Sequence, residues 1–109
     1  MTWHRSNPRT GYRQIADSAG RTVADCVSYS EGPSLEESEA NAELIVSGKD
    51  CDRSTPGPWQ AVPGAAPIAW LVRGGPQQVI VAMVPDRWPD AREIAERIVR
   101  CATDARLRR

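Results

Sequence analysis

The octet EANAELIV at 39–46 and the octet REIAERIV at 92–99 set Ala42 against Ala95, Glu43 against Glu96, Ile45 against Ile98 and Val46 against Val99. In both, apolar residues recur at steps of three and four, the spacing that lays one apolar stripe along an α-helix. A chain of 109 residues that writes one helix twice reads as two similar halves. A half of roughly 50 residues buries too little surface to be comfortably stable alone, so the two are expected to share one core.

Outward from the octets the match continues. Without a gap, Trp59 answers Trp3, Leu71 answers Ile15 and Val79 answers Val23. The second octet then sits three residues closer to its strands than the first, a shortening that a loop tolerates. In the first half, GYRQIAD at 11–17 and RTVADCVSY at 21–29 read as strands joined by a turn with Asp17 and Gly20, and TWHR at 2–5 as a short third strand. Ser34 followed by Glu37 has capping-box spacing, and Leu35, Ser38, Ala42 and Ile45 form the inner face of the first helix.

In the second half, APIAWLVR at 66–73 and QQVIVAMV at 77–84 flank GGP at 74–76, a strong turn signal. The run Val79 to Val84 predicts a central strand buried on both faces or nearly so. The second helix is expected to be capped by Asp90 with Glu93, or alternatively by Asp86 with Pro89 in the first turn, with Ile94, Ile98, Cys101 and Ala105 facing inward. The core is expected around Val79, Val81, Ile94 and Ile98. The predicted fold is α+β, with two ββα or βββα pseudo-repeats in a single domain over 1–109. Pseudo-repeat one covers 1–48, a proline- and glycine-rich crossing covers 49–66, and pseudo-repeat two covers 59–109.

A tryptophan near the start, IADSAGRTVA at 15–24 and EANAELI at 39–45 together resemble a family of small uncharacterised bacteriophage and prophage proteins. Those carry Trp, then Ile-x-Asp-x-x-Gly-x-x-Val-Ala, then Ala-Asn-Ala-x-Leu-Ile. The resemblance covers Trp3 to Val46 and departs at VSGKDCDR, where the family continues into an alanine-rich stretch. It implies origin on a mobile element and brings no activity with it.

Hydrophobic residues make up 40% and charged residues 26%, a balance that suits a globular protein rather than a disordered one. No apolar run is long enough to cross a bilayer and no signal-peptide core appears, so the cytoplasm of a host bacterium is the expected location. The zero net charge divides unevenly: residues 1–50 hold five Lys or Arg against eight Asp or Glu, and residues 51–109 hold nine against six. A globally basic nucleic-acid binder is therefore not indicated.

Catalytic chemistry finds little purchase. The single histidine, His4, has no identifiable nucleophile beside it, and RGGPQQ at 73–78 reads as a hairpin turn rather than a phosphate cradle. Cys26, Cys51 and Cys101 lack the spacing of a zinc or redox motif. No enzyme activity, cofactor or metal is expected. With no Phe in the chain, Trp59 and Trp70 are expected to supply core bulk, whereas Trp88, in PDRWPD at 85–90, is expected to be exposed. Glu93 with Arg97 and Glu96 with Arg100 are spaced as ion pairs on a solvated helix face.

Glu36, Glu39 and Glu43 form an acidic stripe with no interleaved Lys or Arg. The expected function is a non-enzymatic phage or mobile-element accessory protein that binds and inhibits a host protein, such as a defence nuclease complex, in the manner of anti-CRISPR proteins. The expected contact residues are Glu36, Glu39, Glu43 and Trp88, meeting a basic surface. The alternative is a small nucleic-acid-binding module using Arg106, Arg108 and Arg109 on the basic C-terminal helix, since a sheet backed by a helix is similar to integrase-type and double-stranded-RNA-binding folds.

Overall fold

Each half runs strand, strand, strand, helix. In the computed structural model, which describes residues 3–6, 14–26 and 34–107, the first half forms β1 (His4–Ser6), β2 (Gln14–Ala16), β3 (Thr22–Asp25) and α1 (Leu35–Ser47). The second forms β4 (Trp59–Pro63), β5 (Ile68–Gly74), β6 (Val79–Pro85) and α2 (Ala91–Leu107). The strands build one antiparallel sheet in the order β1-β2-β3-β6-β5-β4. The fold is thus α+β, with two βββα units joined through β3 and β6. The outer parts of the expected first-half strands, at 11–13 and 27–29, lie outside the described residues. β4 occupies part of the stretch read as a crossing.

Local chemistry accounts for the element ends. Gly20 takes a left-handed φ of 85° in the β2–β3 turn, where a side chain would be strained. The Ser34 side chain accepts from the Glu37 N–H at 3.1 Å and starts α1. Gly48, at φ 75°, ends it by donating to Leu44 O at 2.9 Å.

The ladder sets the correspondence between halves. At the seam Asp25 pairs with Met83, and to either side the burial sequence repeats residue for residue: Val23, Ala24 and Cys26 are buried as Val81, Ala82 and Val84 are. Ala24 faces Ile15 as Ala82 faces Val72, and Thr22 faces Ala16 as Ile80 faces Arg73. A bulge interrupts each hairpin at the same step, between Ile15 and Ala16 and between Val72 and Arg73. Asp17 and Arg21 close the first turn through a 2.9 Å backbone bond, where Gly74 and Val79 pair in the second. The bulges are common to both halves, but the second half carries one extra residue between its first and second strands and one more in its turn, 74–79 against 17–21, and this overturns the gapless expectation: Ile15 corresponds to Val72 instead of Leu71, and Val23 to Val81 instead of Val79. Trp3 and Trp59 do correspond, both buried one residue before the matched pairs His4↔Ala16 and Gln60↔Arg73.

The helices contact each other and cover one face of the sheet, α1 over β1 and β2 and α2 over β3 to β6. Hence Val72, Ala82 and Val84 are buried while their neighbours Leu71 and Met83 are only half-buried, the alternation of a sheet with one covered face. The expected double-sided burial of 79–84 fails for this reason, and Val79 is half-buried rather than central to the core. Val81, Ile94 and Ile98 are buried as expected. On α1 the buried positions are Ser38, Asn41, Ala42, Leu44 and Ile45, and Leu35 is exposed. On α2 they are Ala91, Ile94, Ala95, Ile98, Ala102 and Ala105, with Cys101 half-buried at the margin.

Ile98 is fully buried where α2 meets the sheet. Ile98→Ala is expected to cost about 2–5 kcal/mol, read as a lowered denaturation midpoint with an unchanged slope. A cost below about 1 kcal/mol would place that face outside the core.

Candidate functional site

The outward face of α1 presents Leu35, Glu36 and Glu39 to solvent, with Glu37 and Glu43 half-buried beside them. The helix holds no Lys or Arg. Glu43 is drawn out of the stripe by Arg5 of β1, at 3.1 Å, and the Arg5 hydrogen bond holds its carboxyl below the usual carboxylate range. Glu36 and Glu39 are the solvent-exposed carboxylates of the stripe.

Glu37 points elsewhere. Its carboxylate accepts from the Thr55 hydroxyl, which in turn accepts from the Asn41 side-chain amide at 2.8 Å. Asn41 also accepts from the Thr55 N–H at 2.8 Å. The Thr55 carbonyl accepts from the Trp59 indole at 2.9 Å and from the Arg106 guanidinium at 2.5 Å. A fully buried threonine thus ties the connection between halves to α1, β4 and α2, with its polar atoms satisfied as burial requires. Beside it a cleft of about 340 Å³ opens between Glu37 and the β5–β6 turn.

Trp88, expected to be exposed, is half-buried and packs against the core. Its indole donates to Thr22 O at 2.7 Å, and the Arg21 and Arg87 guanidinium carbons lie 5.0 and 5.2 Å from its ring centroid. Arg21 also forks onto both oxygens of Asp90, at 3.0 and 3.1 Å, and donates Nε to Asp17 at 3.0 Å. Asp90 precedes α2, yet its carboxylate serves this clasp between the first-half turn and the second-half helix. The Arg21 hydrogen bond holds the Asp90 carboxyl below its ordinary range. The Asp17 carboxyl is lowered first by the Arg21 backbone N–H, then by its side chain and the Ala19 N–H. No sequence signal marks a contact spanning 66 residues, as the Trp88–Thr22 bond does.

The C-terminal arginines divide. Arg106, expected as a phosphate contact, turns inward, with Nε 3.3 Å from Asp50 and its guanidinium carbon 5.5 Å from the Trp59 centroid. Arg108 and Arg109 lie outside the described residues. Glu96 takes Arg92 as its partner, at 2.8 Å, instead of the expected Arg100, and Arg97 stacks 3.9 Å from the Trp3 centroid. His4 is exposed on β1. Among the described residues no cluster of three or more metal-ligating side chains occurs, and no helix is long and apolar enough to cross a membrane. No protein family, curated protein or solved structure shows detectable similarity to the chain.

The clasp has a pH signature. Carboxyls lowered by folding stabilise the native state above their unfolded pKa, and that contribution disappears as pH falls from about 5 through the lowered folded values. Burial pushes Asp25 the other way, so the informative comparison is between the parent and Arg21→Ala, which share Asp25. The variant is expected to melt lower at neutral pH and to lose less on acidification; parallel melting curves from pH 7 to pH 3 would contradict this. The thiols offer a second check. Burial, then the Asp25 charge, pushes Cys26 up to about 12, whereas the Ser54 hydroxyl, 3.7 Å away, lowers exposed Cys51. A disulfide reagent near neutral pH should label Cys51 first and Cys26 only in denaturant.

Proposed function

We propose that this chain is a non-enzymatic binding protein of a phage or other mobile element, and that it docks the outward face of α1 on a basic surface of a host protein and blocks that surface. One observation carries the reading. Exposed Leu35 stands with exposed Glu36 and Glu39 on a helix without a single Lys or Arg. An apolar residue beside charge of one sign supports docking, because apolar anchors supply affinity and complementary charge supplies encounter rate and register. Surfaces along which a nuclease complex guides nucleic acid are of the matching sign. Against the nucleic-acid alternative, Arg106 is already engaged by Asp50, Thr55 and Trp59.

The test pairs capture from host lysate with a gel-shift on DNA and RNA. Glu36→Lys combined with Glu39→Lys is expected to weaken binding of the captured protein about tenfold or more, with little change in melting temperature because exposed charges contribute little to stability. Retention of that protein by the double variant would overturn the proposal. So would salt-sensitive nucleic-acid binding that disappears when Arg108 and Arg109 are reversed to Glu.

A further inference from the structure

We infer that the cleft beside Glu37 receives an arginine side chain from the partner docked on α1, an inference that rests on the docking reading above. The two halves of the chain supply the argument. The burial pattern matches α1 to α2 with Ser38 at Ala91, Asn41 at Ile94, Ala42 at Ala95 and Ile45 at Ile98, so Glu37 stands where Asp90 stands. In the strands, Gly74 stands where Asp17 stands, and Val79 where Arg21 stands. The three residues of the Asp17–Arg21–Asp90 clasp thus correspond to Gly74, Val79 and Glu37, and all three line the 340 Å³ cleft.

In one half, the space between hairpin turn and helix start is filled by a guanidinium held on two carboxylates. In the other, the guanidinium is absent and the helix carboxylate remains. The chain cannot restore the second carboxylate itself, since a Cβ at position 74 would fall 2.5 Å from the Trp59 ring.

Glu37 is prepared for an incoming cation. One carboxylate oxygen is held by the Thr55 hydroxyl, whose own orientation is fixed by Asn41, and no cation pairs with Glu37 among the described residues. Pro56, Pro76 and Val79 give the cleft stiff apolar walls, suited to the aliphatic stem of an arginine while its planar fork meets a carboxylate. Leu35, two residues before Glu37, stands by the same spacing where Trp88 stands before Asp90. Trp88 stacks on Arg21, whereas Leu35 is left exposed.

The experiment needs no partner. Methylguanidinium is titrated into the isotope-labelled protein and the backbone amides of Thr55, Gly74, Gly75 and Val79 are followed by NMR, with methylurea as the neutral control. Weak but saturable shifts with methylguanidinium are expected, reduced about tenfold or more in apparent affinity with methylurea and in Glu37→Gln, as loss of a charge-assisted fork requires. Val79→Arg, which places a guanidinium at the position of Arg21, is expected to abolish the response by filling the cleft from within while leaving the Glu37–Thr55 bond in place. Absence of saturable shifts, an equal response to methylurea, or binding that survives Val79→Arg in a folded protein would overturn the inference. Because the titration omits the partner, a negative result removes the arginine subsite alone, whereas the Glu36 and Glu39 reversals decide the docking face.

Discussion

The pairing of β3 with β6 is the constraint on which everything else rests. Each half supplies a three-stranded meander and one helix, too little to bury a core of its own. Joined at Asp25 and Met83, the meanders become a six-stranded sheet with a face wide enough for two helices, and the residues flanking the seam are among the most deeply buried in the chain. Charge on α1 and the clasp at α2 are both held in position by that sheet.

Around this symmetric frame the polar chemistry is asymmetric. At the start of α2, Arg21, Asp17, Asp90 and Trp88 lock the first-half turn to the second-half helix. At the start of α1, Thr55 fastens the connection between halves to Glu37 and Asn41, and the adjoining turn stays apart. Within the helices, buried Asn41 occupies the place of Ile94, exchanging apolar bulk for a side chain that can anchor a loop. Such a polar group is tolerable in the interior only when its bonds are complete, and Thr55 completes them.

The sequence carried the order of elements well, because that order depends on local chemistry. The octets showed helical period, Ser34 showed a cap, and the Asp17–Gly20 and Gly74–Pro76 stretches showed turns. The register was illegible for a physical reason: the second half is one residue longer between its first two strands and one longer in its turn, loops take such insertions without changing the strand pattern, and a gapless comparison therefore matches Ile15 to Leu71. The fates of Trp88 and Arg106 were hidden as well. Both sit in polar, turn-like or terminal sequence that reads as solvent-facing, and both are drawn inward by backbone carbonyls, Thr22 O and Thr55 O, far away along the chain. The acidic stripe was legible except at Glu43, whose partner Arg5 lies 38 residues off.

The Asp25–Met83 seam has one more consequence. It is the pairing that two identical βββα chains would make as a symmetric dimer, strand three against strand three about a two-fold axis. Covalent linkage turns that association into an intramolecular event, independent of protein concentration. It also releases the halves from being identical. A true two-fold dimer must present every surface feature in duplicate, filled or open alike, whereas a tandem chain can keep one copy as internal fastening and leave its counterpart open, so that a symmetric scaffold carries a single accessible cleft.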